Sequence, residues 1–199
     1  GGTKIHFKNM TYAAMFLVFF AFTSSTASWD WIMSIDTHWF STLFGWYVFS
    51  GMWVSFLIVF VLVSIWLKHK GYLPNVNKSH IHDAAKWMFA ISFLWTYLWF
   101  SQFMLIWYSN IPEEVTYYVI RIDHYKGLFW GIFFVNFLFP MVILLSRDAK
   151  RQIGYMITVG LIIFVGHWLD VYLMIMPGSL GAHAEIGFME VGMAIGFLG

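Results

Sequence analysis

Twenty-nine consecutive residues, 39–67, carry no Asp, Glu, Lys or Arg. A helix needs about 20 apolar residues to cross the hydrocarbon core of a bilayer. There is no water there to satisfy a bare backbone, so a run this long reads as a transmembrane helix that is tilted or projects beyond the hydrocarbon. Four more apolar stretches follow the same logic, at about 10–28, 84–108, 127–146 and 153–176. Asp83 stands where an N-cap would open the third, and Pro177-Gly178 stands where the fifth would end. The runs are too long for membrane strands and lack their in/out alternation. The expected fold is therefore all-α, a polytopic transmembrane bundle forming one domain over residues 1–199, with five full spans and the start of a sixth. After Glu190 only nine residues remain, too few for a crossing, so the chain reads as a fragment of a longer protein.

Composition agrees. Hydrophobic residues make up 60% of the chain and charged residues 11%, with a mean hydropathy of +0.71. A soluble domain so apolar would precipitate, whereas 12 Trp and 22 Phe suit a lipid-facing surface with aromatic belts. The absence of cysteine excludes disulfides, thiolate metal sites and Cys-ligated iron–sulfur clusters within this chain. A net charge of +1 gives no reason to expect a nucleic-acid partner.

If the five spans alternate, nine of the eleven Lys and Arg fall on one side: Lys4, Lys8, Lys68, Lys70, Lys78, Lys86, Arg147, Lys150 and Arg151. Only Arg121 and Lys126 fall on the other. The positive-inside rule then makes residues 1–8, 68–86 and 147–152 cytoplasmic and segments 29–38, 109–126 and 177–185 external. The external segments hold the acids Asp30, Asp36, Glu113, Glu114, Asp123 and Glu185. Residues 30–39 mix acids with aromatics and read as a short helix lying in the interface.

Ionisable groups inside a span are costly, so the fifth helix stands out for Gly166-His167-Trp168-Leu169-Asp170. His167 and Asp170 share a face and lie roughly 21–26 Å along the helix from Ile153 at about 1.5 Å per residue. Such a pair either holds and passes a proton or is a structural hydrogen-bonded pair. On the third helix Tyr97, Ser101 and Tyr108 share a face with Met104, while Gln102 points elsewhere. Hydroxyls at this spacing either bond neighbouring helices or line a water chain or a quinone headgroup pocket. Pro140 frees the carbonyl of Asn136, which we expect to produce a kink rather than a water site. Ser41/Gly45 and Gly51/Ser55 are small-xxx-small pairs that let helices approach. His80 and His82 are two apart and diverge on a helix, a poor metal site. His167 is the one histidine deep in a span, so this chain alone does not offer the two axial ligands a bis-histidine haem needs.

Four separated segments carry a resemblance that covers the whole chain. They are Asp30-Trp31-Ile32-Met33-Ser34-Ile35-Asp36-Thr37-His38-Trp39-Phe40-Ser41, the stretch from Phe100 through Tyr108 to Ile111-Pro112-Glu113-Glu114, His80-Ile81-His82-Asp83, and His167-Trp168-Leu169-Asp170-Val171-Tyr172. Together they resemble the second quinone-binding membrane subunit of alternative complex III, the bacterial quinol:cytochrome c oxidoreductase, itself similar to polysulfide-reductase-type (NrfD-like) membrane proteins. The resemblance implies a multi-pass subunit of the bacterial cytoplasmic membrane that holds no haem or cluster of its own. It implies partners as well: a homologous quinol-binding membrane subunit, periplasmic subunits carrying haem c and iron–sulfur clusters, lipids, and a terminal oxidase as an electron acceptor. The cofactor class it brings is a quinone, menaquinone or ubiquinone. Carried onto this chain, the proton-transfer candidates are His167 and Asp170, with Asp36, His38 and Glu185 as weaker additions. Tyr97, Ser101, Gln102 and Tyr108 are candidates for a polar pocket or water path. No residue of this chain is assigned a catalytic step of its own. A different class of function stays open beside this one, a scaffold anchoring the periplasmic redox subunits through segments 29–38 and 109–126. A stand-alone transporter would call for an inverted repeat or broken helices at the midplane, and neither is clear.

Overall fold

The computed structural model describes residues 2–145 and 152–198, and over them the chain is a bundle of helices with five long and apolar enough to cross a membrane. In chain order the spans are α1 (Gly2–Trp31), α2 (Phe44–His69), α3 (Lys78–Ser109), a fourth rod, and α7 (Ile153–Leu180). A short amphipathic helix, α4 (Pro112–His124), connects α3 to the rod, and a further apolar helix, α8 (Phe188–Leu198), follows α7. The rod is built from α5 (Lys126–Phe133), a π-helical turn (Phe134–Leu138) and α6 (Phe139–Leu144). The basic residues Arg147, Lys150 and Arg151 lie outside the described residues.

Local chemistry explains several ends and corrects several expectations. Asp83 does not cap α3. The helix opens six residues earlier, where Asn77 accepts the N–H of His80 at 3.1 Å and His80 Nδ1 accepts the N–H of Asn77 at 3.2 Å, a reciprocal capping box. Asp83 instead pairs with Lys86 on the exposed surface. At the other end of α3, Asn110 takes a left-handed conformation, and Pro112 with Glu113 and Glu114 starts α4. Segment 30–39 is not a separate interfacial helix: α1 runs on to Trp31, one 3-10 turn (Met33–Ile35) follows, and the rest is loop.

Prolines account for two irregularities. Pro140 stands just inside α6, and the N–H of Phe139 reaches back to the Phe134 carbonyl, one residue further than an α-helix would. The expected disturbance is thus a π-turn placed just before the proline. Pro177 does not end α7, which continues to Leu180 and stops at Gly181 with φ of +62°. The missing N–H of Pro177 strands only the Leu173 carbonyl, and a side chain from α4 takes it, as described below.

α2 and α3 pack most closely, α7 lies against α2 and the rod, and α1 packs chiefly on α2. Gly45 is part of that last contact, since a Cβ there would stand 3.2 Å from Ser25 of α1. The core has two parts. An aromatic one holds Trp39, Phe44, Trp95, Trp99, Phe103, Tyr118 and Phe129. An aliphatic one holds Val54, Ile58, Val61, Met88, Met156, Val159 and Ile163. Along α2, α3 and α7 most of the buried polar residues fall at the changeover: Ser50; Ser92 and Thr96; His167 and Asp170; Gln102 of α3 is buried further on, within the aromatic part. Ser50, Ser92 and Thr96 satisfy themselves on carbonyls of their own helices. The other two do not, and they define the site.

Candidate functional site

Asp170 is 2% exposed, and both of its carboxylate oxygens are held by side chains from other helices. The Tyr47 hydroxyl of α2 donates to Oδ1, and the Trp95 indole N–H of α3 donates to Oδ2 at 3.2 Å. Gly51, one turn beyond Tyr47, lies against the same groups. A Cβ there would lie 3.4 Å from the Trp95 ring and 3.6 Å from His167 Nδ1. His167 is buried beside the same tryptophan, edge-on at 5.1 Å between ring centroids. The expected direct His–Asp pair is not formed: neither imidazole nitrogen bonds the carboxylate, Nε2 of His167 has no partner among the described residues, and Trp95 bonds the carboxylate in its place. A carboxylate needs donors when buried, and the neutral Tyr47 and Trp95 supply them without a cation.

Asn136 from the π-turn sits nearby, fully buried, and neither Nδ2 nor Oδ1 is bonded among the described residues. Its side chain presses on α7 at Gly166, where a Cβ would stand 1.9 Å from Oδ1 and 2.8 Å from Val135. Position 166 therefore admits only glycine without rearrangement.

Toward the end of the bundle that carries α4, a second charged group is buried. Arg121 is 2% exposed, its guanidinium lies 3.3 Å over the Tyr117 ring, and Nη1 donates to the Tyr117 carbonyl. Nε donates to the Leu173 carbonyl at 3.0 Å, the acceptor that Pro177 leaves without a partner, and Nη2 donates to Met174 O. Nη2 also reaches Asp36 at 3.1 Å. Trp39 stacks on the other side of this cluster, 3.8 Å from Tyr117. The loop after α1 is thereby tied to α4 and to the broken turn of α7. Burial pushes the Tyr117 phenol up to about 12, outweighing the opposite pull of Arg121, and burial also holds Tyr118 well above its ordinary value.

Between these two buried charges lies a cavity of about 20 Å³, walled by Tyr47, Gln102, Tyr118, Arg121 and Asp170 over an apolar floor that includes Phe129. Gln102 is 3% exposed; its amide is within hydrogen-bond reach of the Tyr118 hydroxyl, and its Oε1 has no partner among the described residues. The remaining sequence candidates are scattered. Tyr97 and Tyr108 point out of the bundle at 62% and 87% exposure, and Ser101 is only half-buried. The helix face expected to be polar is thus the outward one, and Gln102, read as facing elsewhere, faces in. His38 and Glu185 are exposed and make no bond to His167 or Asp170, while Asp36 is engaged with Arg121. Tyr47, Trp95 and Arg121 escaped the sequence reading. The first two look like ordinary aromatics of an apolar run, and the third showed only as an exception to the charge asymmetry.

A quinone headgroup does not fit beside Asp170, because ligand pockets are an order of magnitude larger than this cavity. A groove of about 750 Å³ between α1 and α2 is large enough for an apolar chain. Its only hydroxyls, on Ser24 and Ser25, are turned to the Ala21 carbonyl, and none of its lining residues is titratable, so it offers no such group for quinol chemistry. No protein-family model matches this chain, and no curated protein matches it.

Proposed function

We propose that this chain is a proton-handling membrane subunit of a bacterial quinol-oxidising respiratory complex of the alternative complex III type. The observation that carries the proposal is Asp170: a buried carboxylate held by two neutral donors at the wall of a small cavity. Ionisable groups are kept at such depth chiefly where ions or protons must pass. The chemistry available to Asp170 supports exchange. Ionised, it accepts from Tyr47 and Trp95. Protonated, it can donate to the Tyr47 oxygen, because a phenol both donates and accepts. Trp95 holds the second oxygen in either state, so a proton can arrive and leave without the carboxyl group moving. Nε2 of His167, across Trp95, is a further buried nitrogen with a vacant place.

On this reading quinol is oxidised in a homologous partner subunit, and electrons leave through haem c and iron–sulfur clusters of periplasmic subunits toward cytochrome c or a terminal oxidase. The membrane is the bacterial cytoplasmic one, with the Arg121–Asp36 end outside by the positive-inside rule.

In the assembled complex, Asp170→Asn and His167→Ala are expected to preserve assembly and to lower quinol-dependent electron transfer or the protons released per quinol. Unaltered turnover and stoichiometry in both variants would rule the pair out. One observation favours a scaffold instead: Asp36, Arg121, Tyr117 and Trp39 bind the two proposed external segments into a single platform. Under that reading the Asp170 variants are silent and changes in segments 29–38 and 109–126 release the peripheral subunits.

A further inference from the structure

The cavity between Asp170 and Arg121 has more unmet hydrogen-bonding capacity than an empty space can tolerate. Arg121 owns five N–H groups. Four are engaged: Nε with Leu173, one on Nη1 with Tyr117, and two on Nη2 with Asp36 and Met174. The second N–H of Nη1 remains. Gln102 contributes an Oε1 without a partner, buried in the same wall beside the Tyr118 hydroxyl. Each Asp170 oxygen accepts one hydrogen bond and keeps one lone pair. An unmatched buried donor or acceptor costs about 1–3 kcal/mol. A water needs roughly 10–15 Å³ of such space and two to four polar partners. About 20 Å³ is present, and its walls carry the remaining Arg121 N–H, Gln102 Oε1, the Asp170 oxygens and the Tyr118 hydroxyl.

We propose that this cavity is a binding site for one ordered water molecule, which accepts the fifth N–H of Arg121 and donates to Gln102 Oε1 and to the Asp170 carboxylate. Gln102 and Arg121 are then positioning residues for that water. The water gives Asp170 a proton-exchange partner in addition to Tyr47, since an indole N–H is a donor only. The inference deepens the proton-handling reading of Asp170 and rests on it for function, although the water's presence is independent of that reading.

The test uses the full-length protein in its native complex, with two readouts. A density map at a resolution that shows waters is expected to place one peak within hydrogen-bond reach of both Gln102 Oε1 and Arg121 Nη1. Infrared difference spectra in ¹⁸O-labelled water are expected to show a shifted band of an internal O–H, lost in Gln102→Met, which keeps the side-chain length and removes the acceptor. A dry cavity in the wild-type map overturns the proposal whether or not the variant folds. So does an isotope-sensitive band that survives Gln102→Met unchanged. A water found there together with wild-type proton release in Asp170→Asn would uphold the site and sink the proton-handling role.

Discussion

Around Asp170 and Arg121 the residues do different physical work, although both are charged and both are 2% exposed. Arg121 is saturated by carbonyls, a carboxylate and an aromatic face, the arrangement that makes a buried cation tolerable. Asp170 has only neutral donors, which leaves it able to change protonation state. Tyr117 reports on the cluster. Its buried phenol is held up to about 12 against an ordinary value of 10.0, so between these values the unfolded chain has released the proton and the folded one has not. Stability is therefore complete below pH 10 and falls as pH rises toward 12, because the native state binds the extra proton. A tyrosinate absorbance titration of the folded protein should show Tyr117 still protonated at pH 11, and a Tyr117→Phe variant should form one tyrosinate equivalent fewer, the difference appearing only near the end of the titration.

Two contacts between elements carry most of the site's geometry. The first is the π-turn of the rod against α7 at Gly166. Gly166→Ala forces a methyl group into Asn136 and Val135 and is expected to cost about 1–3 kcal/mol in unfolding experiments in mixed micelles. Asn136→Ala should reduce that penalty in the double variant, since it removes the nearer clash. The second is α4 against the proline-broken turn of α7. Arg121→Met leaves the Leu173 and Met174 carbonyls and Asp36 without their partner and is expected to destabilise by about 3–5 kcal/mol. Pro177→Ala returns an N–H to the Leu173 carbonyl, so it should soften the Arg121→Met defect while changing the wild type little. Additive losses in that double-variant cycle would show that Arg121 does not serve the carbonyl freed by Pro177.

At the scale of the whole molecule, the bundle could be read from charge-free runs alone, because a bilayer leaves long apolar segments few alternatives. Helix ends were less legible. The Asn77–His80 box looked like a histidine cluster, and Pro177 looked like a stop because the side chain that rescues its turn lies 52 residues away in sequence. His167 and Asp170 stood out because ionisable residues in a span are rare, yet their separation of three residues suggested a partnership that Trp95 occupies instead. Tyr47, Trp95 and Gln102 were hidden for a common reason: only the packing of α2, α3 and α7 decides which of many aromatics and amides turn inward. The proposed function of this chain requires a proton to reach Asp170. The most direct measurement is the carboxyl C=O stretch in infrared difference spectra of the intact complex during quinol-driven turnover. A band that appears in the wild type and vanishes in Asp170→Asn is the predicted result, and an identical spectrum in the two proteins would contradict it.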